Sequence, residues 1–514
     1  MTRWHIYLLV YFVGAGLILG TTCAFSQLVG TDSHVEIWIA KQTLEHGYNN
    51  SIQNSINSSL PISLIAPYLS KWFHIPLIWI FKVIYPMMFA FVPVLLLNIY
   101  SRFMPFKWAL LASLFFIVNP VFFLELPQVE RMMIAELLIV GMLAVLFSNL
   151  KDRYKYSLFS IGSLAIVVSH YSSVILWFIL SGAILLAYLV KRQKQFYIVG
   201  GILVISLIAF YAYAKISSSG WQVEDVGNAV KGITSTIAQG GASSAGEVFK
   251  STDGQIPTAI QHMGTAQSMI QVALGLDFFK VDLVSKLFRI IQWVVEVSLV
   301  VGVVAMLRKK TIPTAYKSLI VFMVLLLGLS IIFPIIASTI NATRLYEFGL
   351  IILSPAFVYG LVWVFKRRGY YVAGGLLVVY FVFTSGLVFH FTEHQIATVT
   401  IPYSIALEAK ALDAGNYLTA DDSKVAEWAF NNGIKTIYGD TGAVLIAQEY
   451  FDNYHALPWG DLKSGDYLLI RTWDTQNNTK SVWAGAGLRT QQPLDVPVGK
   501  ILYQSGGAYV MEVQ

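Results

Sequence analysis

The chain has 514 residues, of which 56% are hydrophobic, 14% aromatic and only 12% charged, with a formal net charge of +6. Soluble domains carry roughly 25% charged residues, so this composition excludes a disordered chain, a nucleic-acid-binding tail and an ordinary cytosolic enzyme. Long unbroken apolar runs favour membrane helices over the alternating strands of a membrane barrel. The single cysteine, Cys23, excludes an intrachain disulfide and, set in an apolar stretch, is read as a small packed residue.

Apolar runs of about 20 residues predict eleven membrane spans, near residues 6–29, 77–100, 106–125, 130–149, 155–170, 172–190, 196–214, 284–307, 314–340, 345–365 and 370–391. The first run has no small-residue cleavage site after it and is read as a retained span. Alternate connections are basic: Arg102 and Lys107; Lys151, Arg153 and Lys155; Lys191, Arg192 and Lys194; Arg308, Lys309, Lys310 and Lys317; Lys366, Arg367 and Arg368. Together with Arg3 they place the N-terminus in the cytoplasm and the C-terminus outside, which also accounts for most of the +6 balance. Residues 30–76, 215–283 and the tail from about 393 then fall outside, as do the sequons at Asn49, Asn57, Asn341 and Asn477. The expected division is a transmembrane module over 1–392 and an extracytoplasmic domain over 393–514.

Segment 215–283, rich in Gly, Ser, Thr and Ala, reads as a loop or an amphipathic cover over a membrane cavity. The tail has a different pattern. SKVAEWAFNNG predicts an amphipathic helix ended by Gly433, KTIYGD a strand, TGAVLIAQEYF a second helix and DYLLIRTW another strand. KILYQSGGAYVMEV predicts a closing hairpin across Ser505-Gly506-Gly507, which makes a small α/β domain. No P-loop, zinc-ligand spacing or nucleophile elbow occurs.

Ionisable groups at membrane depth are costly and mark candidate functional sites. Here they gather at the outer ends of the spans, and the inner halves are nearly free of charge. This one-sidedness predicts an outward-facing cavity; a transporter needs polar groups near the midplane and on both sides. The sharpest cluster is Gly30-Thr31-Asp32-Ser33-His34-Val35-Glu36, directly after the first span. It opens an amphipathic helix (Val35, Trp38, Ile39, Gln42) that could lie on the membrane surface. Asp32 and Glu36 are four apart and share a helix face. They could act on an acceptor hydroxyl or hold a metal, or Ser33-x-x-Glu36 could simply be a capping box with Asp32 as a cap. Arg131, in Arg131-Met132-Met133-Ile134-Ala135-Glu136, could bind a phosphate or pyrophosphate, while Glu136, one to two turns deeper, needs a partner; a structural ion pair between spans is an equally open reading of both. Ser169-His170-Tyr171 occupies a tight outer turn where His170 could meet a phosphate or a carboxylate. Lys286 and Arg289 share a face with Glu296, where snorkelling with one buried pair is the plainer reading, and Arg344 stands in a short outer connection before Glu347. Four cations at one level, Arg131, Lys286, Arg289 and Arg344, suit a lipid-linked phosphate whose tail lies between the spans.

The motifs GTDSHVE, RMMIAE and the apolar-SHYS turn, with an acidic first outer loop, many spans and an external tail, resemble the GT-C superfamily of polyprenyl-phosphate-dependent membrane glycosyltransferases. Within it they look like a group of archaeal multi-spanning membrane proteins. The resemblance covers about residues 1–390. It implies an α-helical polytopic GT-C-like fold and transfer of a sugar from a polyprenyl (dolichyl) phosphate to a glycan, lipid or protein acceptor, with inversion, at the outer face of the cell membrane. It implies that Asp32 is the catalytic base and Glu36 a second acidic residue. Arg131 and Arg344 would hold the donor phosphate, with His34, Glu136, His170, Tyr171, Lys286 and Arg289 as further substrate contacts. The leaving group is already good, so a metal is not obligatory; Mg or Mn, if used, would sit on Asp32 and Glu36. The bilayer is a partner and nucleic acid is not. The tail lacks the W-W-D-Y-G motif of oligosaccharyltransferase catalytic subunits, so single-sugar transfer is favoured over en bloc transfer. Two other readings remain open from the residues: a transporter or flippase of lipid-linked glycans, and a non-catalytic subunit of a cell-envelope glycan assembly.

Overall fold

The computed structural model describes residues 3–217, 274–333, 336, 342–392 and 418–514, apart from positions 25, 51, 53, 277, 452, 457–460 and 484–488. The Gly/Ser-rich segment 218–273, the sequon at Asn341 and tail residues 393–417 lie outside the described residues.

Helix occupies each of the eleven expected apolar runs. Among the described residues, seven helical stretches are long and apolar enough to cross a membrane, or eight if the bent pair Phe106–Ile117 and Val121–Gln128 counts as one span. The difference from eleven has physical causes. Glu130–Leu146 has only 17 residues, Asp152–Ser169 opens on Asp152, Arg153 and Lys155, and the last two expected spans run on as one stretch, Thr343–Thr384. The protein is a multi-pass membrane protein with a small sheet region at its C-terminal end.

The tightest helix pair sets the scaffold. Helix Leu283–Arg308 lies against Ala342–Phe365 so closely that a Cβ on Gly302 would meet the Ala356 carbonyl oxygen at 1.8 Å, and one on Gly360 the Ser298 carbonyl oxygen at 1.9 Å. In lipid, where apolar side chains gain little by leaving the bilayer, such backbone approach is a main source of helix association. Gly302→Ala and Gly360→Ala are each expected to cost about 1–3 kcal/mol, as overpacking does. Thermal unfolding in detergent reads this out, with Gly374→Ala, which meets nothing within 4 Å, as the neutral control.

The bent pair matters for the site. After Pro120 the chain turns by 53° into a short π-helix, Val121–Glu125, the kind of distortion that inserts at kinks and functional sites. Asn119 fastens the bend: its Oδ1 accepts the hydroxyls of Tyr346 (2.7 Å) and Tyr380 (3.1 Å). Glu125 is thereby carried off the axis of Phe106–Ile117 toward the N-terminal end of Ala342–Phe365, where it shares a pocket with Thr343, Arg344 and Glu347.

Two local expectations are corrected, for Cys23 and for the helix after the first span. Cys23 is exposed in the turn after the first helix, Arg3–Thr22, and is not a core residue. In the segment before the second span, Asn57 is fully buried and donates to the Asn49 carbonyl (2.8 Å). The helix Thr31–His46 does not lie free on a surface, because Ser33, His34, Glu36, Ile37, Ile39 and Ala40 are all buried.

At the C-terminal end, helix Ala420–Asn431 begins with a capping box formed by Thr419 and Asp422. Five strands form one sheet in the order β2-β1-β3-β7-β6: β1 Thr436–Gly439, β2 Asn453–Ala456, β3 Tyr467–Ile470, β6 Gly499–Ser505 and β7 Ala508–Val513. β1 runs parallel to β2 and β3, and β7 runs antiparallel to β3 and β6. The strands β4 Thr479–Trp483 and β5 Arg489–Pro493 form a separate hairpin. The predicted second helix is a five-residue turn of helix, Ala443–Ala447. Behind it the fully buried Arg471 bridges Asp440 (2.6 Å) and Asp474 (2.8 Å).

Candidate functional site

The site is built around the turn from the first span into Thr31–His46. Gly30 takes φ +94°, and a Cβ there would lie 2.5 Å from the Gln128 Cβ, so the position needs glycine for both conformation and space. Gly30 is also the N-cap, and no side chain caps the helix. The capping-box reading therefore fails, because both of its members are used over longer range. Ser33 Oγ donates to Glu130 Oε2 (2.8 Å), and Glu36 accepts from Arg131 Nη1 and from the Arg131 backbone N–H (3.2 Å). Arg131 Nη2 donates to Asp32 Oδ2 (2.6 Å). One guanidinium thus bridges two carboxylates a helix turn apart, the planar fork that arginine offers and lysine does not. Glu36 is fully buried and Arg131 nearly so, while the Asp32 side chain is 41% exposed.

Asp32 opens onto a pocket of about 230 Å³ lined also by Glu125, Leu126, Gln128, Val129, Met132, Thr343, Arg344 and Glu347. Arg344 is the one cation in that lining. It is held by the SHYS turn, donating from Nη1 to Ser172 Oγ (2.6 Å) with Tyr171 also against it. His170 Nδ1 pairs with Ser173 Oγ (2.7 Å), and the imidazole is buried beneath the Tyr171 ring. Glu347 is fully buried, and its carboxyl lies against that of Glu136, which is buried beside it.

Of the expected site residues, the structure brings Asp32 and Arg344 to the pocket itself. Glu36 and Arg131 stand directly behind Asp32, and His170 and Tyr171 stand behind Arg344. Arg131 lies against carboxylates and not on the pocket wall. Lys286 and Arg289 are not in the lining: Arg289, almost fully buried, donates to Gln292 (3.0 Å), which donates to Glu296 (3.1 Å). His34 points away as well, with its Nδ1 2.7 Å from Glu449 of the C-terminal region. The expected metal pair does not fit a cation, since Arg131 already takes up both Asp32 and Glu36. No cluster of three or more His, Cys, Asp or Glu side chains is arranged for a metal among the described residues. Sequence reading placed Glu125 and Glu347 at span ends without giving them a role, and it missed Gln128, Met132 and Thr343. A span read as straight hides which residues a kink turns inward.

Burial pushes the Glu36 carboxyl up to about 7, with Arg131 pulling it the other way. A carboxyl raised in the folded state contributes stability that is present below its unfolded value and is lost as pH rises through the folded one. Between about pH 4.5 and 7, stability is therefore expected to fall with rising pH through this group. Melting curves of the full chain at pH 5 and pH 8 test this, and Glu36→Gln should reduce the difference between them.

No family model matches the sequence, and no curated protein matches it. Solved structures do. The cryo-EM structure of the arabinofuranosyltransferase AftD from Mycobacteria is similar with a TM-score of 0.49 at 10% identity, covering 100% of this chain and 40% of that one. A mutant form of the same enzyme gives a TM-score of 0.50, again at 10% identity, covering 100% and 42%. The chain spans about two fifths of the length of these neighbours. At this identity the likeness is one of fold alone.

Proposed function

We propose that the chain is a membrane glycosyltransferase of GT-C type that moves a sugar from a polyprenyl-phosphate donor to an acceptor hydroxyl at the outer membrane face. The observation that carries this reading is the pairing of a part-exposed carboxylate, Asp32, with an arginine, Arg344, across one pocket at the ends of apolar helices. The fold likeness to an arabinofuranosyltransferase supports it, as do the basic connections that set the pocket on the non-cytoplasmic side.

The residues divide the chemistry simply. Asp32 accepts the proton of the acceptor hydroxyl as that oxygen attacks the anomeric carbon. The bond from that carbon to the donor phosphate oxygen breaks, its electrons leave with the lipid phosphate, and the configuration inverts. The Arg344 guanidinium faces the charge that develops on the phosphate. Arg131 takes no part in the bond changes and fixes the rotamer of Asp32 through a 2.6 Å contact. Glu125, Gln128 and Glu347 line the same space and offer acceptors for sugar hydroxyls.

The test is incubation of the purified full chain with polyprenyl-phosphate sugars and an acceptor glycan or lipid. Inverted product is the expected result. Movement of lipid-linked glycan across vesicle membranes with no transfer would overturn it in favour of a flippase. Within the assay, Arg344→Gln is expected to raise the donor KM by about ten- to a hundredfold, the value of a charge-assisted hydrogen bond of roughly 1.5–3 kcal/mol, while the acceptor KM moves little.

A further inference from the structure

The helix Thr31–His46 is gripped from two opposite sides. At about 100° per residue, Asp32 and Glu36 lie some 40° apart around its axis, and His34 and Lys41 lie together about 180–200° from Asp32. Arg131 of the membrane bundle holds the first side. A single residue of the C-terminal region, Glu449, holds the second. Its Oε1 is 2.7 Å from His34 Nδ1, and its Oε2 accepts from Lys41 Nζ at 2.9 Å. The Lys41 ammonium also lies 4.4 Å from the centre of the Tyr450 ring, and the Tyr450 hydroxyl is 2.8 Å from Ser423 Oγ on helix Ala420–Asn431. His34 is fully buried and Glu449 is 5% exposed, so water competes little for these contacts. Burial raises the Glu449 carboxyl, but the hydrogen bonds from His34 and Lys41 outweigh it and hold the group below the usual carboxylate range.

We propose that Glu449 is a positioning residue of the site, through which the C-terminal region fixes the roll of helix Thr31–His46 and hence the reach of Asp32 across the pocket toward Arg344. The proposal rests on the reading of Asp32 as the base. A helix pinned along one side can rock about that contact, and a second pin on the far side removes the freedom. The lever is short but sufficient: a roll of about 10° moves a carboxylate some 6 Å from the axis by about 1 Å, and a displacement of that size can cost about a hundredfold in rate. Glu449 touches neither the pocket nor any group assigned to the bond changes. Its effect passes entirely through His34 and Lys41.

Glu449→Gln in the full chain is expected to lower kcat by about tenfold or more, with the donor KM shifted less than about twofold and hydrogen exchange of the amides of residues 31–46 accelerated. The pair Lys41→Glu with Glu449→Lys restores the attraction in reverse, with His34 switching tautomer to accept from the new lysine. The double variant should recover exchange protection and turnover that each single change loses. Wild-type turnover in Glu449→Gln overturns the proposal, whether or not exchange has changed. If Glu449→Gln does not fold, the charge-swap cycle decides, and strictly additive losses overturn the proposal. Absence of transfer by the wild-type chain defeats the glycosyltransferase reading separately; the clamp is then judged by exchange in residues 31–46, and protection independent of Glu449 overturns it.

Discussion

Asp32→Asn is expected to lower the transfer rate by about 10²- to 10⁴-fold, the span a positioned general base contributes, and to leave donor binding nearly unchanged. Asparagine keeps the shape of the side chain, and its amide oxygen can still accept from Arg131 Nη2, which now lies 2.6 Å from Asp32 Oδ2. The fold and the pocket outline should therefore survive, and what is lost is the capacity to take a proton. The neighbouring carboxyl cannot stand in, because Glu36 is fully buried and both of its oxygens face Arg131. Initial rates with a labelled polyprenyl-phosphate sugar should show kcat and kcat/KM falling together, the sign of an interaction made in the transition state. Arg344→Gln should instead act through the donor KM, so the two substitutions separate proton transfer from phosphate binding. Turnover within a few fold of wild type in Asp32→Asn would remove Asp32 from the role of base and turn attention to Glu125 and Glu347 on the same wall.

The parts of this architecture that were legible from sequence are those written in local pattern. Apolar runs of about 20 residues give the helices, and the polar motif directly after the first run marks Asp32 as a candidate, with a helix cap as the competing reading that sequence alone leaves open. The tail helix at Ala420–Asn431 and the hairpin of β6 and β7 followed from amphipathic spacing and a Ser-Gly-Gly turn. What sequence could not assign is partnership. Arg131 stands out as an interfacial cation that suits a phosphate or an ion pair alike; the structure gives its donors to carboxylates up to 99 positions away, which no local pattern names. His34 looked like part of the acidic motif, but its partner lies 415 positions on, in a segment whose local pattern says only helix. Ser33-x-x-Glu36 matched a capping box, yet a buried arginine competes for Glu36 with a full charge while a cap offers one neutral N–H. The 53° turn after Pro120 is likewise hidden in a run taken as one span, because hydrophobic periodicity does not report direction even where Asn119-Pro120 interrupts it.

Arg131→Met is expected to be the most destabilising single change at the site, by about 3–5 kcal/mol, the cost of leaving buried charge without its partner. The guanidinium is 2% exposed and Glu36 is 0% exposed, so water cannot replace the lost donors. Arg131→Lys keeps the charge but not the fork, and a single ammonium cannot take both Asp32 Oδ2 and Glu36 Oε1 in their present geometry; an intermediate loss follows. The decisive comparison is the double variant Arg131→Met with Glu36→Gln. If the loss comes from an uncompensated carboxylate, neutralising Glu36 recovers a large part of it and the two effects are strongly non-additive. If the loss comes from packing around the arginine stem, the double variant is at least as unstable as the single. The pH dependence offers a second discriminator with a fixed sign. Burial already raises Glu36 to about 7 with Arg131 in place, and removing the cation raises it further. At pH 5 the carboxyl of the Arg131→Met protein takes a proton and the charge disappears, so the melting-temperature deficit should be smaller at pH 5 than at pH 8. A deficit unchanged across that interval would mean that Arg131 supports the fold by shape alone and that the orientation of Asp32 has another source.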